Sequence, residues 1–117
     1  MTNARRGALV EHAAQAYLQQ QGLRLLANNF RCRAGEIDLI MSDENCVVFV
    51  EVRYRRNSQF GSGAVSVNHR KQRKIIQTAE YFLLRNPQLR KTPGRFDVIS
   101  ASGDEHHPQL DWIRNAF

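Results

Sequence analysis

The sequence predicts an α/β fold, a mixed sheet with helices packed on it. Two segments, about 5–21 and 68–86, carry apolar residues at helical spacing, and five shorter runs rich in Val, Ile, Leu and Phe read as strands. The order is α-β-β-β-α-β-β. Its long third strand leads through a helix into another strand, the pattern of a right-handed crossover joining a parallel pair. No internal repeat and no linker composition interrupts the 117 residues, so they are expected to form one domain, 1–117, large enough for a real core.

In the first helix Ala8, Ala14 and Leu18 fall near helical spacing, with Val10, Ala13 and Tyr17 beside them, and Gly22 is the expected stop. The segment "LRLLANNF" (23–30) is a strand of poor alternation. Next, "GEIDLIM" (35–41) and "CVVFVEVRY" (46–54) are strands joined by a short acidic turn at Asp43, Glu44 and Asn45. By its Gly and Ser content, "NSQFGSGAVS" (57–66) is a flexible loop. The second helix has Asn68 as its N-cap and Ile75, Ile76, Ala79, Phe82 and Leu83 as its buried stripe. A strand "RFDVISA" (95–101), a turn "SGDEHHP" and a short closing strand within "QLDWIRNAF" complete the chain.

Composition excludes several classes. No apolar run reaches the 18 or so residues of a membrane span. Early arginines open "MTNARRGALVEHAAQAYL", but Glu11 and His12 break its apolar stretch, so it is not a secretory signal, and a cytoplasmic location is expected. Cys32 and Cys46 lack CxxC spacing, which argues against a zinc site and against a disulfide scaffold. The four histidines show no metal spacing and read as surface residues. Neither a Ser-His-Asp set nor a Gly-rich phosphate loop is visible. Trp112 reads as core, and Asp97 in its apolar strand as the partner of a nearby arginine.

The carboxylates of the second and third strands form the main candidate site. If the strands pair antiparallel across a two-residue loop, Glu44-Asn45, opposed residue numbers sum to 89. Asp38 then faces Glu51, Glu36 faces Arg53, and period-two alternation puts all four on one face. Opposed like charges among Ile, Leu, Val and Phe are unfavourable without a positive partner. Mg²⁺ (or Mn²⁺) suits the place, because it takes oxygen ligands from one or two carboxylates plus water and phosphate. Glu11, three and seven residues before Ala14 and Leu18, could add a third oxygen. The expected metal ligands are therefore Glu11, Asp38 and Glu51. The alternative is a structural salt-bridge network, which Glu36 with Arg53 fits well.

At this point the motifs "GEIDLI", "FVEVRYR", "RKQRK", "RFDVI" and the terminal "AF" resemble the YraN family of small bacterial proteins, over nearly the whole chain from Gly7 to Phe117. By resemblance that family belongs to the PD-(D/E)xK nuclease superfamily, alongside Holliday-junction resolvases and type II restriction enzymes. The resemblance implies a restriction-endonuclease-like core, an α-β-β-β-α-β mixed sheet flanked by helices, with Mg²⁺-dependent phosphodiester cleavage. It makes Asp38 the strand aspartate, Glu51 the acid of the ExK motif and Glu11 the first-helix glutamate of the resolvase branch. Arg53 stands where that motif has lysine. Arginine effectively never loses its proton and cannot be a general base, but it could stabilise charge developing on a phosphate. Asp38, Glu51 and Arg53 are thus the expected catalytic residues. Lys71 or Lys74 could take the lysine's place from the second helix.

Charge distribution points to the partner. Between Val52 and Ala79 there is no acidic residue, while Arg53, Arg55, Arg56, Arg70, Lys71, Arg73 and Lys74 lie in that window. Cations in the first turns of a helix oppose its dipole unless an anion sits with them, so the patch favours phosphate. Arg55, Arg56, Arg70, Lys71, Arg73 and Lys74 are the expected nucleic-acid contacts. DNA is favoured, branched or linear being left open, as is a homodimer. Two further readings stand beside the nuclease: a catalytically silent binding module, with Arg53 as its clue, and a protein-interaction adaptor.

Overall fold

The computed structural model describes residues 3–56 and 67–117. The loop expected over 57–66, with Phe60, lies outside the described residues. Helix α1 (Asn3–Gln20) precedes strands β1 (Arg24–Cys32), β2 (Gly35–Asp43) and β3 (Cys46–Arg55). Helix α2 (His69–Arg85), a short 3₁₀ turn at Pro87–Leu89, and strands β4 (Gly94–Ser102) and β5 (Gln109–Ile113) follow. The five strands form one mixed sheet in sequence order, with β3 and β4 parallel and the other neighbours antiparallel. No helix among the described residues is long and apolar enough to cross a membrane.

Local sequence explains where the helices begin and end. Helix α1 closes in a Schellman arrangement: Leu23 N–H donates to Leu18 C=O at 3.0 Å and Gly22 N–H to Gln19 C=O at 3.1 Å. Gly22 sits at φ 97°, a left-handed conformation that costs glycine least. Leu23 and Leu18 are buried in one cluster, the apolar contact that accompanies this stop. At α2 the Asn68 side chain accepts from Lys71 N–H at 2.9 Å, as expected of an N-cap.

Two apolar layers cover the sheet. Val48 and Val50 of β3 join Ala14 and Leu18 of α1, whereas Val47 and Phe49 join Ile75, Ala79 and Phe82 of α2. Alternation along β3 therefore assigns one helix to each face. Helical detail departs from expectation at two residues. In α1 the buried line is Val10, Ala14 and Leu18, a strict four-residue step that leaves Ala8 exposed. In α2 Thr78 is buried instead of Ile76, which lies past the edge of the stripe; Thr78 satisfies its hydroxyl by donating to Lys74 C=O at 2.7 Å. The terminal residues close one end of the sheet. Ala116 N–H donates to Phe96 C=O at 2.8 Å, and the rings of Phe49, Phe96 and Phe117 stack in series at 5.4 and 5.1 Å.

Candidate functional site

The β2–β3 hairpin has the expected register. Asp43 pairs with Cys46, and the ladder runs through Leu39 with Val50, every pair summing to 89. It ends there. The next pair would be Asp38 with Glu51, and at that position the strands part. The Asp38 carboxylate takes over from the backbone, its Oδ2 accepting the Val52 N–H at 2.8 Å.

Period-two alternation breaks at the same place. Ile37 and Leu39, two residues apart, lie in opposite core clusters: Ile37 on the α2 side and Leu39 on the α1 side. Across the sheet, β1 shows the matching irregularity. Asn29, the residue that would oppose Asp38, is absent from the ladder and has φ 49°. Asparagine tolerates that left-handed conformation better than most residues do. The expected single face for Glu36, Asp38, Glu51 and Arg53 is thereby corrected, because a strand that switches faces between Ile37 and Leu39 cannot keep one alternation through Asp38. Glu36 also has a different partner. It pairs across β1–β2 with Arg31, whose Nε lies 2.9 Å from Glu36 Oε2, and not with Arg53.

The parting leaves a cluster of negative charge. Partial burial, then the neighbouring Glu51 carboxylate, push Asp38 up to about 7, and Glu11 and Glu36 add smaller repulsions against the single Val52 N–H. Glu11 on α1 is also raised, first by burial and then by Glu36; a hydrogen bond from the Asn29 side chain pulls it back. Glu51 is buried, only 8% exposed, and its one cationic contact among the described residues is Lys71 of α2, with Nζ 2.6 Å from Oε1. Arg53, two residues on in β3, buries its Nε–H with no acceptor among the described residues. Leaving such a donor unpaired costs about 1–3 kcal/mol.

Two open clefts border Glu36, and neither is lined by Asp38 or Glu51. One is lined by Glu11, His12, Asn28, Asn29, Arg31 and Glu36, the other by Gly35, Glu36, Asn68, Arg70, Lys71 and Lys74. Glu36 belongs to both. The expected basic residues divide: Arg70, Arg73 and Lys74 are exposed at the start of α2, Lys71 is engaged with Glu51, and Arg55 and Arg56 are exposed at the end of β3. All four histidines are exposed. Among the described residues no group of three or more His, Cys, Asp or Glu side chains is gathered tightly enough to hold a metal ion. The expected trio with Glu11 is therefore not assembled as a ligand cluster. What remains is a two-carboxylate set, Asp38 and Glu51, whose surplus negative charge and oxygen donors fit a hard divalent cation that needs only one or two protein carboxylates.

Sequence reasoning missed Asn29, the Val52 N–H and the choice of Lys71 as partner of Glu51. The adjacent asparagines at 28 and 29 were the available signal for a left-handed residue inside β1.

Fold and site together define a mixed α/β protein whose sheet opens between two strands onto an acidic notch beside a basic helix end. Comparison with known proteins gives the family. The model of the "Uncharacterised protein family UPF0102" matches residues 10–101. The chain is 55% identical to a UPF0102 protein of Xanthomonas campestris pv. campestris (strain B100), covering 96% of this chain and 90% of that one. It is 50% identical to one of Pseudomonas fluorescens (strain Pf0-1), over 95% and 91%, and 51% identical to one of Xylella fastidiosa (strain M12), over 95% and 90%. The protein belongs to the UPF0102 family, in agreement with the YraN resemblance of its sequence.

Proposed function

We propose that the protein is a nucleic-acid-binding nuclease of restriction-endonuclease-like core, hydrolysing phosphodiester bonds of DNA with a divalent cation held by Asp38 and Glu51. The observation that carries this reading is the Asp38 carboxylate held on the Val52 N–H, next in the chain to buried Glu51, with Asp38 pushed up to about 7 and Glu51 facing a lysine. Carboxylates assembled at such a cost are functional candidates. A bound Mg²⁺ or Mn²⁺ would supply Lewis-acid stabilisation of the scissile phosphate. The chain's own residues do the rest. The Val52 N–H fixes the Asp38 carboxylate in the notch. Arg53, whose buried Nε–H has no acceptor among the described residues, would bring its charge to a phosphate oxygen, an electrostatic role open to an arginine that cannot act as a base. Arg70, Arg73 and Lys74 offer exposed charge to flanking phosphates, contacts that hold a strand without reading its bases.

The test is a panel of linear, single-stranded, flapped and four-way-junction DNA, with RNA beside it, in Mg²⁺ or Mn²⁺. The parent should cleave at least one member, and Glu51→Gln should lower the rate on the order of 100-fold or more, the size of effect seen when one transition-state charge contact is lost. Binding that falls steeply with salt but no cleavage by the parent would leave a silent binding module, the second reading. Binding to no nucleic acid at low salt would remove both.

A further inference from the structure

We infer that the Lys71–Glu51 ion pair is an exchange switch that couples divalent-cation binding to phosphate binding; the inference rests on the two-carboxylate site proposed above. Lys71 Nζ lies 2.6 Å from Glu51 Oε1, so the ammonium stands beside a carboxylate oxygen that a divalent cation would use. The two partners differ in freedom. The Glu51 side chain is 9% exposed, whereas that of Lys71 is 44% exposed on the first turn of α2. Lys71 also lines the cleft shared by Arg70, Lys74 and Asn68. A cation arriving at Glu51 therefore displaces the ammonium toward that cleft, where it adds to a site for phosphate. Without the cation, the same lysine neutralises Glu51 and is withheld from the phosphate chain.

Two ligands that each favour the released lysine must favour one another, because coupling between sites is reciprocal. The cation should strengthen nucleic-acid binding, and nucleic acid should strengthen cation binding. Lys74 supplies the control. It carries the same charge on the same helix and lines the same cleft, but has no ion pair with Glu51.

The experiment measures Mn²⁺ alone against the full chain by electron paramagnetic resonance, without nucleic acid, in the parent, Lys71→Met, Lys74→Met and Glu51→Gln. Thermal melts confirm that each variant is folded, with Lys71→Gln in reserve. Lys71→Met should bind Mn²⁺ at least ~5-fold more tightly than the parent, the low end of typical site-to-site coupling, and Lys74→Met less than ~2-fold. In a second measurement Ca²⁺ should raise the parent's affinity for a fluorescent 20-base-pair DNA about tenfold, and Lys71→Met should lose most of that gain. Equal Mn²⁺ affinity in parent and Lys71→Met, or equal tightening by Lys74→Met, would overturn the switch while leaving the cation site standing. Mn²⁺ binding that Glu51→Gln does not weaken, even relative to Lys71→Met, would instead overturn the two-carboxylate site itself.

Discussion

Two aspartates in one sheet, Asp97 in β4 and Asp38 in β2, show how differently the fold treats buried negative charge. Asp97 is 0% exposed, yet its oxygens are fully engaged. Arg95 reaches them through Nε at 3.0 and 3.2 Å and Nη2 at 3.1 Å, Trp112 Nε1 at 2.9 Å and Asn115 N–H at 3.0 Å. Arg95 also extends to Asp43 at 3.4 Å, so one guanidinium ties β4 to the β2 hairpin end. Asp38 is less buried and has one N–H against three neighbouring glutamates. Burial of a carboxylate therefore does not by itself mark a site. Asp97 is a structural joint because its charge is balanced; Asp38 is a candidate because its charge is not, and Glu51 beside it is held by a single half-exposed lysine.

The largest effect should come from breaking the balanced member. Asp97→Ala strands the Arg95 guanidinium and the Trp112 indole N–H together, and loss of one partner of a buried pair costs about 3–5 kcal/mol. The midpoint of urea unfolding should fall accordingly, and a near-parental midpoint would show that the Arg95 network is not a joint at all.

The unbalanced member should respond in the opposite direction. Folding raises the Asp38 pKa from the ordinary 3.8 to about 7, so between those values the folded state binds the proton more tightly than the unfolded chain does. Stability from this group is greatest below about pH 4, declines as pH rises through the window and is level above about 7. Asp38→Asn keeps an oxygen for the Val52 N–H and removes the charge. In a chelating buffer it should stabilise the fold at pH 8 by on the order of 2–4 kcal/mol, since a tenfold change in proton affinity is worth about 1.4 kcal/mol. The gain should shrink toward zero near pH 4. Thermal melts at the two pH values check this, and a variant less stable than the parent at pH 8 would show that the charge is already compensated.

The smallest effect belongs to the outer pair. Arg31 and Glu36 have side chains 75% and 56% exposed, and an exposed pair is worth about 0–1 kcal/mol. Arg31→Ala should therefore leave the melt nearly unchanged at moderate salt. A loss above about 2 kcal/mol would mean that Arg31 balances the whole acidic notch and not Glu36 alone.

Much of the fold was legible because its signals are local. Gly22, Asn68 and the Glu44-Asn45 loop each act on their own few residues, and stop, cap and register followed from them. Ile76 was assigned to the buried stripe of α2 and is exposed, because the edge of a helical stripe is set by how wide the sheet beneath it is.

Sequence alone determined the register of the β2–β3 hairpin as far as Leu39 and Val50, since pairing by number needs only a loop length and a period of two. Tertiary structure decided what happens where that ladder ends. The strands part at Asp38, Asn29 turns left-handed opposite it, Glu36 leaves for Arg31, and Lys71 of α2 comes to Glu51. None of these is local. A cross-strand partner across β1, and a lysine from the later helix α2, are selected by the docking of elements distant in the chain. A broken alternation costs backbone pairing, which only the surrounding packing can offset.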